Sequence, residues 1–319
     1  MNDAGFGNKH ISIAQRRYLG SKTKLLTFID EIIETEKLEY KSFADIFGGT
    51  GVVANYFHSN AHIIVNDILE SNYLCYIAFF GKEKIRTKWL ENKLHEYNNQ
   101  DVSKLSENYF SSNFANTYFD ETNSKHIGSI REDIETSFNN GECNVRERAY
   151  LVTSLIYALD RIANTVGHYD AYRKVTIPIR RLELRPLAIT KQKFAAKIYK
   201  QDANQLVREM KADVVYIDPP YNSRQYSDSY HLLENIAEWK KEDVHGVAKK
   251  IDRSHLKSEY SLKSASYAFS DLINNIDAKY ILVSYNDMGT SGDARSQSRI
   301  SDHELVSALE RRGKVTVYE

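Results

Sequence analysis

The chain has 319 residues, enough for one large α/β domain with an insertion or for two modest domains. Its 43 basic and 43 acidic residues cancel, which excludes a global field that would draw in a polyanion, so any nucleic-acid contact needs basic residues segregated on one face. Two cysteines, Cys75 and Cys143, exclude a disulfide framework and a cysteine metal site and fit a reducing, cytoplasmic setting; no apolar stretch reads as a membrane span or a secretion signal.

Met1 to Gln15 has no periodicity and is expected to be irregular. Arg16 to Lys24, RRYLGSKTK, precedes an apolar set, Leu25, Leu26, Phe28, Ile29, Ile32 and Ile33, whose spacing predicts a helix. A Gly-Ser-Lys turn opening a helix can offer amides and an ammonium to an anion, or can simply be a basic helix start. Ser42 to Gly51, SFADIFGGTG, runs into Val52, Val53, Ala54, Tyr56 and Phe57, and reads as strand, glycine turn and helix. Glycines there let backbone approach a ligand without a Cβ in the way. The dinucleotide fingerprint GxGxxG is not met, because Val53 and Ala54 stand where the third glycine would be sought. His62 to Ile68 predicts a second strand ending in Asp67, an acid placed to accept hydrogen bonds from ribose hydroxyls.

From Tyr73 to about Arg185 the alternation of strand and helix gives way to helical patterns over 71–80, 85–96, 126–138 and 145–165, with a polar, aromatic-studded stretch over 108–123. This length is too great for a loop and predicts a subdomain, with Tyr150 to Ile162 as its apolar core. Gly167 reads as a helix stop. Beyond it His168, Tyr169, Tyr172, Arg173 and Lys174 mix groups that reach base edges and phosphates. Arg173, Lys174, Arg180, Arg181, Arg185, Lys191, Lys193, Lys197 and Lys200 form one basic stripe, and Lys249, Lys250, Arg253, Lys257 and Lys263 a second. Either alone reads as a solvated face; together they suggest a groove for phosphates.

Lys197 to Asn204 is the third strand and its end, at Asp202, and Leu206 to Met210 a return helix. The chain is organised around Asp213 to Tyr226, DVVYIDPPYNSRQY. Val214 to Ile217 predicts a buried parallel strand, which the two prolines end because they cannot donate to a ladder. Asp218 is thereby held at the carboxyl end of a central strand, where open α/β sheets place their ligand crevice. A carboxylate, stiffened backbone carbonyls and the Tyr221 ring suit a flat group bearing an NH2. A helix through His231, Leu232, Leu233, Ile236 and Trp239 follows, then a buried strand from Tyr280 to Asn286. Asp302 to Arg312 predicts a helix capped by Asp302 and stopped by Gly313, and Lys314 to Tyr318 a final strand.

The DPPY string at Asp218 to Tyr221 resembles the catalytic motif of methyltransferases acting on adenine N6 in DNA. The order of glycine turn, inserted region and DPPY is similar to the subgroup whose target-recognition region lies between the cofactor and catalytic motifs, and the likeness runs from Arg16 to Tyr318. It implies an α/β, Rossmann-like S-adenosylmethionine-dependent methyltransferase sheet with a mainly helical inserted recognition subdomain. Residues 1–72 and 186–319 would form the catalytic domain and residues 73–185 the insertion. It implies catalytic roles for Asp218, Pro219, Pro220 and Tyr221. Cofactor contacts fall to Tyr18, Lys22, Asp45, Phe47, Gly49, Thr50, Gly51, Asp67, Ile68, Asp202 and Ala203. Of these, Tyr18 and Lys22 lie by the methionine part, Asp45 by its ammonium, Asp67 on the ribose and Asp202 near the adenine. DNA contacts fall to His168, Tyr169, Arg173, Lys174, Arg224, Gln225 and Tyr226. The implied partners are double-stranded DNA and, functionally, a restriction endonuclease, with no membrane and no metal. RNA adenine, cytosine N4 or a protein amide as acceptor, or a catalytically silent DNA-binding subunit, are the alternatives; Asp before Pro-Pro and the intact acids argue against them. In the implied fold the last strand is antiparallel and pairs with the strand before it. A single strand after the 302–312 helix predicts a chain short of its natural end, or another segment or molecule at that edge, with Val315 to Tyr318 bordering a gap or paired on one side.

Overall fold

The computed structural model describes residues 10–177, 179–190, 193–221, 223–286 and 299–318. Among the described residues five strands form one parallel sheet: β1 (Ser42–Asp45), β2 (His62–Asn66), β3 (Lys197–Tyr199), β4 (Lys211–Ile217) and β5 (Asp277–Val283), in the order β3-β2-β1-β4-β5. The chain winds outward from β1 through β2 to β3, then returns to the other side of β1 for β4 and β5. The winding therefore reverses between β1 and β4, and a crevice opens at their carboxyl ends. Register aligns those ends, because Asp45 pairs with Val65 on one side and with Tyr216 on the other. The acids that follow the strands, Asp67 and Asp218, are thus brought to one edge beside Asp45.

Helices cover both sheet faces, as buried parallel strands require. They are α1 (Leu26–Thr35), α2 (Val52–Phe57), α3 (Glu70–Phe80), α4 (Thr87–Asn98), α5 (Tyr109–Phe114), α6 (Glu121–Asn139), α7 (Val145–Ile162), α8 (Ala203–Leu206), α9 (Tyr226–Ser229), α10 (His231–Glu238), α11 (Ala265–Asn275) and α12 (Asp302–Glu310). Phe43, Val65, Val214 and Tyr216 face a core shared with α3, α7 and α10, while Ala44, Ile46, Val215 and Ile217 face one shared with α11 and α12. The mainly helical region between β2 and β3 packs on the first face, and the position expected as its boundary, 72–73, falls within α3. Its polar-looking stretch hides an aromatic cluster, for Phe110, Phe114, Tyr118 and Phe119 are all buried.

Several local expectations are corrected. Ile11 and Ile13 are buried, and Ile11 bridges Leu187, so these two side chains are part of the core. Helix α7 ends at Ile162, ahead of Gly167; the buried Asn164 takes the chain out of the helix by donating to the Thr117 and Arg173 carbonyls. Gly167 lies in the loop beyond, at φ +112°. The cap of α12 is Ser301, in a reciprocal box with Glu304, and not Asp302. Strand β5 begins at Asp277, ends at Val283 and is half-buried, because among the described strands it pairs with β4 alone. Residues 314–318, expected as a strand, form none.

Candidate active site

The turn after β1 is held from all sides. Gly49 and Gly51 take φ of +53° and +81°, the left-handed region that side chains disfavour. The Gly51 amide donates to the Gly48 carbonyl at 2.7 Å, and the Gly48 amide to the Asn66 carbonyl at 2.8 Å. The Tyr76 hydroxyl donates to the Gly49 carbonyl at 2.7 Å. Asp67 accepts from the Gly49 amide on one oxygen and the Leu69 amide on the other, both at 2.9 Å. Burial pushes the Asp67 carboxyl up, and the Leu69, Asn72 and Gly49 donors pull it back. Its remaining lone pairs are left for a further donor.

Above this turn lies a cleft lined from the 18–22 segment, the glycine turn, Asp67 and Ile68, Asp202 and Ala203, Asp218 and Pro220. On its floor Asp45 is 1% exposed, and neither carboxylate oxygen has a hydrogen bond of normal geometry among the described residues. Burial raises the Asp45 carboxyl to about 8, the Asp218 charge adds to the rise, and the nearby Ala54 amide offsets part of it. A buried carboxylate without a partner is costly, and a cationic ligand donor would relieve it. One wall is a stack of rings: Tyr18 lies on Tyr230 at 4.5 Å and 5° and beside Tyr226 at 5.5 Å.

At the carboxyl end of β4, Asp218 turns toward the 18–22 segment. Its Oδ1 is 2.8 Å from Lys22 Nζ, with the two side chains 16% and 14% exposed. Burial raises the Asp218 carboxyl to about 6, against the pull of Lys22. Lys22, expected at the cofactor, is therefore an ion-pair partner of the DPPY acid. Pro219 is buried beneath, Pro220 lines the cleft, and Tyr221 is half-buried with its ring edge-on to Tyr285 at 6.2 Å. A charged acceptor at a strand end, an orphan acid and a ring wall in one cleft suit transfer to an amine.

The profile of the D12 class N6 adenine-specific DNA methyltransferases matches residues 18–290. The chain belongs to this family. It is 30% identical to the type II methyltransferase M.NlaIII of Neisseria lactamica, over 93% of this chain and 92% of that protein. It is 36% identical to the modification methylase StsI of Streptococcus sanguinis, over 92% of this chain and 46% of that protein. With M.FokI of Planomicrobium okeanokoites the identity is 33%, over 91% and 47%. The chain thus spans about half the length of the StsI and M.FokI methylases. Membership implies a methyl donor, and the cleft fits one that is cationic and carries hydroxyls, since Asp45 lacks a donor and Asp67 has lone pairs to spare.

Within this family site, Tyr18, Lys22, Asp45, Phe47, Gly49, Thr50, Asp67, Ile68, Asp202, Ala203, Asp218 and Pro220 all line the one cleft. Gly51 lies just behind it and closes the turn. The residues expected at DNA do not stay together. Tyr169 is corrected outright: it is 2% exposed, and its hydroxyl donates to Asp160 at 2.8 Å, so it is a core residue. Gln225 and Tyr226 line the cleft. His168 is half-buried with Nδ1 3.6 Å from Asp170, whereas Arg173, Lys174 and Arg224 are exposed. Sequence reasoning missed Gly48, Leu256, Ser258 and Tyr260 in the lining and the buried Tyr230 that backs Tyr18. A Cβ on Gly48 would come within 2.7 Å of the Tyr76 oxygen. Tyr230 follows Tyr226 by one helical turn, a spacing that could have signalled the shared face. The 256–260 segment carries no motif; the Gln225 side-chain amide docks it, accepting from the Ser258 amide at 2.8 Å and donating to the Ser258 carbonyl at 3.1 Å. Among the described residues no helix is long and apolar enough to cross a membrane.

Proposed function

We propose that this chain transfers a methyl group from S-adenosylmethionine to N6 of an adenine flipped out of duplex DNA, as the modification partner of a restriction endonuclease. The observation that carries the reading is the pairing in one cleft of a charged acceptor, Asp218, with an orphan buried acid, Asp45. S-adenosylmethionine, when bound, supplies a methyl group activated on a sulfonium. Asp45 would accept from its ammonium, Asp67 from its ribose hydroxyls, and Asp202, Ala203 and Phe47 would border its adenine.

The chain's own part follows from the chemistry of the acceptor. The N6 lone pair of adenine is delocalised into the ring and is a poor nucleophile. Lys22 occupies Oδ1 of Asp218, which leaves Oδ2 to accept one N6 hydrogen. The Pro219 carbonyl accepts the other, and the two acceptors favour a pyramidal nitrogen whose lone pair points at the methyl. The N6 proton released on methyl transfer would pass to the Asp218 carboxylate that the amine already faces. Positioning and fixed charge supply most of the rate. Adenine N6 is out of reach inside a duplex, so the base must leave the stack, and Tyr221 stacking would return about 1–3 kcal/mol of that cost.

Residues 73–185 would read the target sequence, with His168, Arg173 and Lys174 toward the DNA and Arg224 beside the cleft. The type II names of the relatives support the pairing with an endonuclease. Both cysteines are buried free thiols, which supports a cytoplasmic location. Long-read mapping of methylated adenine in DNA from cells expressing the chain tests the reading. Methylated adenines at one short sequence are expected, and their absence, or an Asp218→Ala protein as active as wild type on duplex DNA, would overturn it.

A further inference from the structure

Two turns stand side by side, both tied to α9, whose first residues line the cleft. The first, between the bridged residues Thr165 and Tyr172, comes from the inserted region; the second, between the bridged residues His245 and Lys250, comes after DPPY. The second is a tight hairpin, with paired backbone hydrogen bonds of 2.8 and 3.0 Å between His245 and Lys250. At its tip Val247 is 73% exposed. An isolated exposed valine would mean little. What sets this one apart is how firmly its turn is held.

The Tyr118 hydroxyl lies within hydrogen-bond distance of the Ala248 carbonyl (3.0 Å) and of the Tyr169 carbonyl (2.7 Å), so one buried ring joins both turns. Lys250 Nζ is 3.1 Å from Asp170 on the first turn and 3.2 Å from Asp228 on α9. Arg253 closes on the same Asp228. Helix α9 begins at Tyr226, which lines the cleft, so the clamp sits within one helical turn of the site. The Tyr169 amide donates to the Ser229 carbonyl at 2.7 Å, which fixes the first turn to the same helix. Asp170 and Asp228 are thereby neutralised at the base of the tips, while Arg173 and Lys174 remain exposed beside the first turn. A rigid apolar tip, positive flanks and a cleft that must receive a base describe a surface that enters a base stack.

We propose that the 245–250 hairpin is the element that opens the duplex, with Val247 entering the stack where the target adenine leaves it. This rests on the adenine-methylation reading and assigns a positioning residue to it. Rigidity is what the task demands, because a flexible tip would be pushed aside by the restacking bases. The exposed Tyr267 does not compete for the role, since it lies on α11, behind the opposite face of the sheet.

The test compares two duplex oligonucleotides carrying the mapped recognition site: one fully paired, the other with an abasic site opposite the target adenine, which needs less unstacking to flip. Val247→Ala is expected to lower kcat/KM on the paired duplex by about 10- to 100-fold and on the abasic duplex by less than about threefold, a difference set by the few kcal/mol of unstacking. The KM for the methyl donor and the melting temperature are expected to stay put. Val247→Thr, of equal shape but polar, is expected to show the same pattern more weakly and serves should the alanine variant fold poorly. Equal losses on both duplexes, or none on the paired one, would overturn the proposal. If the wild-type chain methylates neither duplex, the reading beneath fails and this proposal with it, an outcome visible in the wild-type arm alone.

Discussion

Lys22→Met removes the charge beside Asp218 and keeps most of the stem. The pair is close, at 2.8 Å, and largely shielded from water. Burial already lifts the Asp218 carboxyl to about 6, and Lys22 is what restrains it. An opposite charge at this range typically lowers a carboxyl by about 1–3 pH units, so its loss is expected to move the acid limb of the pH–rate profile upward by a similar amount. With a displacement of about two, the ionised fraction of Asp218 at pH 7 falls from about 0.9 to about 0.1, a tenfold loss or about 1.4 kcal/mol. The sign is fixed: the carboxyl rises, activity is lost near neutrality, and it returns near pH 9. The assay is transfer of labelled methyl to duplex DNA, with kcat/KM for DNA measured from pH 5 to 9.5. A uniform loss at every pH with the acid limb unmoved, accompanied by a raised KM for the methyl donor, would refute this argument and return Lys22 to the donor site.

Asp45 sits near 8 in the free protein, raised from its ordinary range by burial, so the stability it contributes is complete below about pH 4 and lost as pH rises through 8. The wild-type melting temperature is therefore expected to fall more steeply up to about pH 8 than that of Asp45→Asn, which also binds the methyl donor more weakly; parallel curves for the two would contradict the assignment. Tyr169→Phe removes the hydroxyl that donates to the buried Asp160. It is expected to cost about 1–3 kcal/mol in urea unfolding and to leave the methylated sequence unchanged; a changed sequence would put Tyr169 back at the DNA. Arg173→Ala with Lys174→Ala is expected to weaken DNA binding at all sequences and to reduce the salt slope by about 1–2. An unaltered slope would remove this loop from the phosphates.

The strings FGGTG and DPPY could be read from the chain because their physics is local. A proline ends a strand, glycines permit a left-handed turn, and an acid after a buried strand points to a crevice whatever lies around it. The helix expected over residues 145–165 was readable for the same reason, through its apolar spacing, though the structure ends it at Ile162. Tyr169 misled because its neighbours are polar: a loop sequence does not show that Asp160 and the Tyr118 and His231 side chains wait to bury it. Lys22 and Asp218 lie far apart in the chain, and their pairing exists only once β4 and the 18–22 segment converge on the cleft. The Gln225 latch on Ser258 and the shared Tyr118 hydroxyl are likewise contacts between distant segments. The sequence by itself determined the class of chemistry and the edge of the sheet where it happens, since each motif carries its own backbone requirement. Tertiary structure alone decided which charges meet and which rings are buried, because those depend on the order β3-β2-β1-β4-β5 and on the helices packed across it, which no local pattern encodes.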